Sequence, residues 1–283
     1  MGACSHCSQP AGLLRSVHKE CEQQHAAAQA AIQRAVVQFI MHQADAGQVR
    51  SMVLPLARQG FVRTSELDGL MVEGWRQAVD ACLEDGLLTA AEEAALVNFA
   101  EKTGLMPNIS RLPAYGLLAK AAQLRDLGEG KIQSRMTFNG PTGLNLQKNE
   151  VLIWAFPGTE YLEDRERREM VGVSHGVSVR IVKGVYYRVG AFKGRPVVRQ
   201  ERVSLGMGTL YVTTKHIYFS GPQKSLRIPY SKIVSYEQYS DGIGLMRDAA
   251  TAKPQVFVTN DGWFAFNELL SKLVYERVCL AGG

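Results

Sequence analysis

The chain of 283 residues is 46% hydrophobic and 21% charged, ordinary fractions for a folded protein that exclude wholesale disorder and collagen-like repeats. Its length suits one large domain or a few small ones. The formal net charge of +5 is too small by itself to indicate nucleic-acid binding. No run approaches the roughly 18 apolar residues of a membrane span, and the N-terminus lacks the basic-then-apolar pattern of a secretory signal.

Three of the five cysteines lie within the first 21 residues. An odd number of cysteines without a secretory signal predicts a reducing, cytoplasmic location rather than a disulfide framework. Cys4 and Cys7 form one close pair and His18 and Cys21 form another, with the spacing C-x2-C-x10-H-x2-C. Two close pairs joined by a short loop supply the four ligands of a tetrahedral zinc ion. The spacing therefore predicts a structural zinc site at these four residues.

Other interpretations of this segment stay open. His18 and Cys21 are three residues apart and would face the same way on the first turn of a helix, which favours His18 as the imidazole ligand. His6 and His25 are the alternative imidazoles. Without a metal, the segment would be a disordered tail with unrelated thiols. Ser8 stands directly after Cys7, where the turn of a metal-binding knuckle usually has glycine.

Helical periodicity follows the cysteine-rich segment. Ile32, Val36 and Phe39 recur on one face of a helix, which we assign to a linking helix within residues 25–60. Residues 61–134 contain 7 basic and 11 acidic residues, a net charge of −4. We expect this acidic stretch to form a small helical domain.

The phrase Glu84-Asp85-Gly86, followed by Thr89 and Glu92, resembles the Asp-Gly turn and Ser/Thr-x-x-Glu of bacterial TerB-like helical domains. Some relatives bind a cation near this turn, so the resemblance implies a cation site at Asp85, Glu92 and Glu93. Helix capping by Asp85 and Glu92 is the simpler explanation. Two leucines after the Asp-Gly turn also interrupt the alternating oxygen ligands that an EF-hand loop requires.

Beyond residue 134 the apolar period changes from 3.6 to 2, which predicts an antiparallel barrel or sandwich. The predicted strands are residues 151–156, 177–190, 209–213, 216–220, 225–229, 232–238 and 254–259. Asp261 is a predicted N-cap of a closing amphipathic helix. The predicted class is α+β multidomain, with a zinc knuckle (1–24), a linking helix (25–60), a helical domain (61–134) and an antiparallel β-barrel capped by a C-terminal helix (135–283).

The segment from Gly208 to Phe219, with Leu210, Thr213 and His216 at its key positions, resembles the Gly-x-Leu-x-Leu-Thr-x-x-Arg/His-x-x-Phe phrase of GRAM and bacterial PH-like domains. The resemblance covers about residues 136–277. It implies a pleckstrin-homology-like barrel with a helix in one open end. Domains of this kind bind lipids, peptides or proteins through different faces, so the fold alone does not identify a ligand.

Positive charge is concentrated in the predicted barrel. Residues 172–236 contain 11 basic residues and one acidic residue, a net charge of +10. In the lipid-binding domains that the sequence resembles, basic residues on the early strands and a hairpin tip, here residues 191–195, hold phosphate groups. The candidate residues are Arg180, Lys183, Arg188, Lys193 and Arg195. A solvated basic surface explains the same charge without a ligand.

The common catalytic motifs are missing from the sequence: it has no nucleophile elbow, Walker loop, H-E-x-x-H helix or Rossmann glycine phrase. His216 lies within a predicted strand, where we expect it to be packed or hydrogen-bonded. We therefore expect a non-enzymatic cytoplasmic adaptor or scaffold that engages a lipid headgroup or an acidic protein. The family resemblance implies a bacterial stress-response or phage-conflict context. The alternatives are a nucleic-acid-binding protein that uses the knuckle and the basic sheet, and a metal-dependent enzyme at Asp85 and Glu92.

Overall fold

The fold comes from a computed structural model in which the helices precede a β-sheet. It describes residues 2–11, 15–84, 87–136, 143–182, 185–239, 241–248 and 253–259. Of residues 165–182, 185–201 and 238 it describes only the backbone. The chain divides into two compact units, residues 1–131 and 132–283. The first is helical and the second contains the sheet, which confirms the α+β class.

The described part of the first unit forms six α-helices. They are α1 (Lys19–Met41), α2 (Val49–Gln59), α3 (Thr64–Cys82), α4 (Ala90–Lys102), α5 (Met106–Ile109) and α6 (Pro113–Gly128). A 3-10 turn at Ala46–Gln48 joins α1 to α2, and Asp45 caps it by accepting a hydrogen bond from the Gly47 amide. The helical periodicity of the sequence is therefore confirmed in this unit.

Helix α1 packs against α3 through its apolar face. Ile32, Val36 and Phe39 are buried on α1, as their spacing predicts. The helices approach closely at Gly74 of α3, where a Cβ would lie 2.8 Å from the Val36 Cβ. Trp75, also on α3, is fully buried and donates a hydrogen bond from Nε1 to a carbonyl of α4 over 2.9 Å. Helix α1 therefore belongs to the core of the helical unit.

The second unit contains a seven-stranded antiparallel sheet in the described residues. Its strands are β1 (Leu152–Val182), β2 (Val185–Thr213), β3 (His216–Ser220), β4 (Ser225–Pro229), β5 (Ile233–Tyr239), β6 (Gly242–Arg247) and β7 (Gln255–Val258). The order across the sheet is β4-β3-β2-β1-β7-β6-β5. Within the described residues the outer strands, β4 and β5, do not pair with each other, so the sheet is not closed into a barrel. The helix predicted after Asp261 lies outside the described residues.

Two differences separate the predicted strands from the observed ones. The runs 151–156, 177–190 and 209–213 belong to two long strands, β1 and β2, which pair along their lengths. Strand β6 was missed, because the glycines at 242 and 244 weaken its strand pattern. Gly242 is required where β6 meets β7, since a Cβ there would overlap the backbone of Phe257.

The core of the sheet unit combines an aromatic cluster with a buried polar network. The rings of Tyr161, Phe219 and Phe257 lie with their centroids 5.1 to 5.9 Å apart. The buried His216 Nδ1 contacts the buried Glu150 Oε1 at 2.8 Å. The prediction that His216 is packed or hydrogen-bonded is therefore confirmed, and both descriptions apply.

Candidate metal centre

The first ligand pair lies on a tight loop of residues 3–10, which we call the knuckle. Ala3 and Pro10 form an antiparallel bridge at its base. The Cys4 carbonyl accepts a hydrogen bond from the Ser8 amide at 2.9 Å, which closes the turn that contains Cys4 and Cys7. Ser8 has φ = +62°, a left-handed conformation that favours glycine. The serine therefore adopts the backbone conformation usual for this position of a knuckle, at a cost of about 1 kcal/mol.

The second pair lies at the start of α1. His18 is the N-cap residue of that helix, and Cys21 lies in its first turn. The Ser5 amide donates a hydrogen bond of 3.0 Å to the Ser16 carbonyl, which ties the knuckle to the segment before α1. The helix dipole places partial positive charge at this end, but burial and the neighbouring thiols outweigh its effect on the Cys21 thiol.

The four predicted ligands converge. The Sγ atoms of Cys4, Cys7 and Cys21 and one ring nitrogen of His18 all lie within 4.8 Å of one another. The His18 Nδ1 is 3.3 Å from the Cys7 Sγ and 3.7 Å from the Cys21 Sγ. With zinc bonds of about 2.3 Å to sulfur and about 2.0 Å to nitrogen, a tetrahedral site places S and N about 3.5 Å apart. The four side chains therefore lie close enough to bind a metal ion.

His18 is oriented by a backbone contact that the sequence does not reveal. Its Nε2 lies 2.9 Å from the Pro10 carbonyl oxygen, so the proton on Nε2 is donated to that oxygen. This leaves Nδ1 as the nitrogen that faces the thiols, and a hydrogen bond on the far nitrogen is the usual way to orient a metal-binding histidine.

The two alternative histidines are engaged elsewhere. The ring of His6 stacks on that of His25 with centroids 4.5 Å apart. The His25 Nδ1 donates a hydrogen bond to the Gly60 carbonyl at 2.8 Å. Neither belongs to the ligand cluster, so the cluster consists of three cysteines and His18.

The protein environment shifts the protonation of the cluster. A hydrogen bond from the Cys7 backbone lowers the pKa of the Cys4 thiol to about 6, against the opposing effect of its burial. Burial and the neighbouring thiols raise the pKa of Cys21 to about 11. The Pro10 carbonyl, helped by the Cys7 thiol, raises the pKa of the His18 imidazole. The lowered pKa of Cys4 favours the thiolate, the form in which cysteine binds metals.

Two of the three predicted cation ligands, Glu92 and Glu93, have other partners. Glu92 Oε2 accepts hydrogen bonds from the Thr89 amide (2.9 Å) and hydroxyl (2.7 Å), and the Thr89 hydroxyl accepts one from the Glu92 amide. This is the predicted capping box at the start of α4. Glu93 forms an ion pair with Arg125 of α6 at 2.5 Å. Asp85 lies outside the described residues. Among the described residues, the Cys3His cluster is the only place where three or more potential metal ligands lie close together.

The basic candidates lie on the β1–β2 ladder, which the structure describes as backbone. In this register Arg180 pairs with Tyr186, Arg188 with Ser178, Lys193 with Val173 and Arg195 with Val171. Their side chains and the whole of Lys183 lie outside the described part of the structure. The prediction of a hairpin tip at residues 191–195 is wrong, because these residues pair with residues 171–175 inside the ladder. Gly194, which indicated a turn, instead pairs with Gly172 inside the ladder.

Comparison with known proteins identifies no relative of this chain. No family model, curated protein or solved structure matches this chain. No helix among the described residues is both long enough and apolar enough to span a bilayer. The resemblances to TerB-like and PH-like domains therefore stay predictions.

Proposed function

We propose that this protein is a non-enzymatic adaptor or scaffold whose helical unit contains a structural zinc ion held by Cys4, Cys7, His18 and Cys21. The convergence of three thiols and one imidazole nitrogen carries the proposal. Soft thiolate ligands select zinc over the hard cations magnesium and calcium. Four protein ligands fill a tetrahedral coordination shell and leave no position for water or substrate, which is the arrangement of structural rather than catalytic zinc.

The charge of the sheet unit supports an anionic partner for the adaptor. Residues 172–236 have a net charge of +10. Among the described side chains of this stretch, Lys224, Arg227 and Lys232 are exposed. A basic residue near an anionic membrane contributes about 1 kcal/mol of binding, so a few that converge suffice for weak recruitment. We propose that this unit binds an anionic surface, either lipid headgroups or an acidic protein.

Metal analysis of the purified full chain tests the zinc proposal. We expect about one zinc ion per chain in protein purified without chelator. Cys4→Ser combined with Cys21→Ser removes two of the four ligands and should abolish zinc binding. Cys82→Ala, which changes a cysteine outside the cluster, should retain the ion. Wild-type protein without zinc would refute the proposal.

Flotation with vesicles of phosphatidylserine and phosphatidylcholine tests the anionic partner. The full chain should float with anionic vesicles, and Lys224→Glu with Lys232→Glu, at two exposed positions, should reduce the floated fraction severalfold. The control, Arg34→Glu with Arg58→Glu, makes the same change of net charge at exposed positions of the helical unit. Equal losses in both double variants would argue against a specific basic site. Binding to DNA or RNA that falls steeply with salt would favour the nucleic-acid alternative instead.

A further inference from the structure

The turn between α2 and α3 contains an unusual backbone conformation. Phe61 has φ = +55°, in the left-handed region. Such a conformation is rare for a bulky residue and costs free energy that neighbouring contacts must offset. Gly60, directly before it, has an ordinary negative φ of −94°, so the unfavourable conformation falls on the phenylalanine.

Side chains of α1 hold one side of this turn. Gln24 Nε2 donates a hydrogen bond to the Gln59 carbonyl at 2.7 Å, and His25 Nδ1 donates one to the Gly60 carbonyl at 2.8 Å. A Cβ at Gly60 would overlap the side chain of Ala28, so α1 lies directly against the turn. Two carbonyls at the C-terminus of α2, which a helix leaves without partners, are thereby satisfied by α1.

One residue of the knuckle, His6, also lies against this turn. His6 lies between the ligands Cys4 and Cys7 and is half-buried. Its ring stacks on His25 at 4.5 Å between centroids and lies 5.9 Å from the ring of Phe61. His6 thus connects the knuckle to His25, which holds the turn, and to Phe61, whose backbone is strained.

We propose that metal binding at the Cys3His cluster controls the conformation of the α2–α3 turn. The bound metal fixes the knuckle, the fixed knuckle places His6 against His25 and Phe61, and these contacts stabilise the left-handed Phe61. Loss of the metal frees the knuckle and lets the turn relax. The metal can shift this equilibrium because it binds only the ordered arrangement of its ligands. The inference rests on the proposed zinc site and adds a metal-dependent conformational change to it.

Hydrogen–deuterium exchange of the full chain tests this coupling. In the structure the Gly60 and Val62 amides donate to carbonyls of α2 over 3.0 and 2.9 Å. We expect zinc removal by a chelator to accelerate exchange of these amides by about tenfold or more. His6→Ala should retain one zinc per chain and yet exchange at the turn as fast as the chelated wild type. Ser5→Ala, a substitution at an exposed position of the same loop, should exchange like the wild type both with zinc bound and after chelation.

A second variant keeps the test decisive if His6→Ala disturbs the knuckle itself. Phe61→Gly removes the ring and relieves the backbone strain, because glycine adopts a positive φ without cost, so the exchange of the turn should no longer respond to zinc. A wild-type chain that binds one zinc but exchanges equally with and without it would overturn the coupling and leave the zinc site intact. A zinc response of Phe61→Gly equal to that of the wild type would also overturn it. Absence of zinc from the wild type would instead remove the proposed function together with the coupling.

Discussion

Each unit contains a histidine whose Nδ1 faces ionisable side chains, a carboxylate in the sheet unit and thiols in the helical unit. In the sheet unit, Glu150 accepts hydrogen bonds from the Thr213 hydroxyl (2.5 Å), the Gln147 amide (2.8 Å) and the Tyr218 hydroxyl (3.0 Å). The His216 Nδ1 lies 2.8 Å from the same carboxylate. The Glu150 carboxylate is thus satisfied by protein groups alone, as a buried charge requires.

The helical unit presents the contrasting arrangement. His18 has one ring nitrogen fixed by a backbone carbonyl, and its other nitrogen faces Cys7 and Cys21. Three thiols converge there, and thiols are weak hydrogen-bond partners for one another. A bound cation satisfies all of them at once. Both clusters contain a histidine, so histidine alone does not identify a metal site. What distinguishes the two clusters is whether the protein itself provides hydrogen-bond partners for the buried polar groups.

We expect the largest effect on stability from removal of the metal, which should affect only the helical unit. A chelator at constant pH should lower the stability of the helical unit by about 3–5 kcal/mol, because a metal that binds only the folded state stabilises it by mass action. The sheet unit should keep its transition, since its polar network contains no metal ligand. Calorimetry of the full chain measures both transitions, and Cys4→Ser assigns the metal-dependent one. Equal destabilisation of both units would contradict the contrast.

The next effect breaks the network of the sheet unit. Glu150→Ala leaves His216, Thr213 and Tyr218 without their shared acceptor and should cost about 3–5 kcal/mol. Glu150→Gln, which retains an acceptor oxygen, should cost less. The matched control is Glu237→Ala, which removes an exposed carboxylate of the same unit and should cost less than about 1 kcal/mol. Urea denaturation gives the three values, and an equal cost for the buried and exposed changes would contradict the account.

Dependence on pH sharpens the comparison further. Burial opposes ionisation of Glu150, yet hydrogen bonds from Thr213, Gln147, His216 and Tyr218 outweigh it and lower its pKa below the usual 4.5. A lowered pKa in the folded state adds stability above the unfolded pKa, and that stability is lost as the pH falls through the folded pKa. The sheet unit should therefore lose stability below about pH 4.5, and Glu150→Gln should flatten this loss. If the wild type and Glu150→Gln lose the same stability below about pH 4.5, the proposed role of the Glu150 carboxylate is wrong.

The smallest effect concerns the backbone of the knuckle. Ser8→Gly places glycine at φ = +62° and should change stability by less than about 1 kcal/mol, toward stabilisation, because relief of strain is partly offset by chain entropy. Ser8→Val, which is β-branched, should destabilise the knuckle and weaken zinc binding. Competition with a chelator of known affinity measures both variants. A stronger site in Ser8→Val than in Ser8→Gly would contradict the left-handed turn.

The sequence predicts the parts of the site that depend on short-range spacing. Cys4, Cys7, His18 and Cys21 converge as their two close pairs indicate, since a tight turn and one helical turn fix each pair. The Thr89–Glu92 capping box is local in the same way. Contacts across distant parts of the chain have no such signal. The stacking of His6 on His25 and the left-handed Phe61 depend on how α1 meets the end of α2.

The sheet shows the same limit. Strands β3 and β4 match their predicted bounds, because β-branched and aromatic runs with clear turn residues mark both. The sequence predicts three shorter strands where the structure has the two long strands β1 and β2, because the glycines of these strands resemble turn residues. In the structure Gly172 pairs with Gly194, and Gly176 with Gly190, so each glycine is matched across the ladder. Pairing between strands is a long-range property that local composition does not reveal.

X-ray absorption at the zinc edge of the purified full chain tests the central claim most directly. The Cys3His site predicts about three sulfur neighbours at 2.3 Å and one nitrogen neighbour at 2.0 Å. Cys21→Ser should lower the sulfur number by one if zinc stays bound. A zinc ion surrounded only by oxygen and nitrogen, or a chain that binds no zinc, would contradict the account.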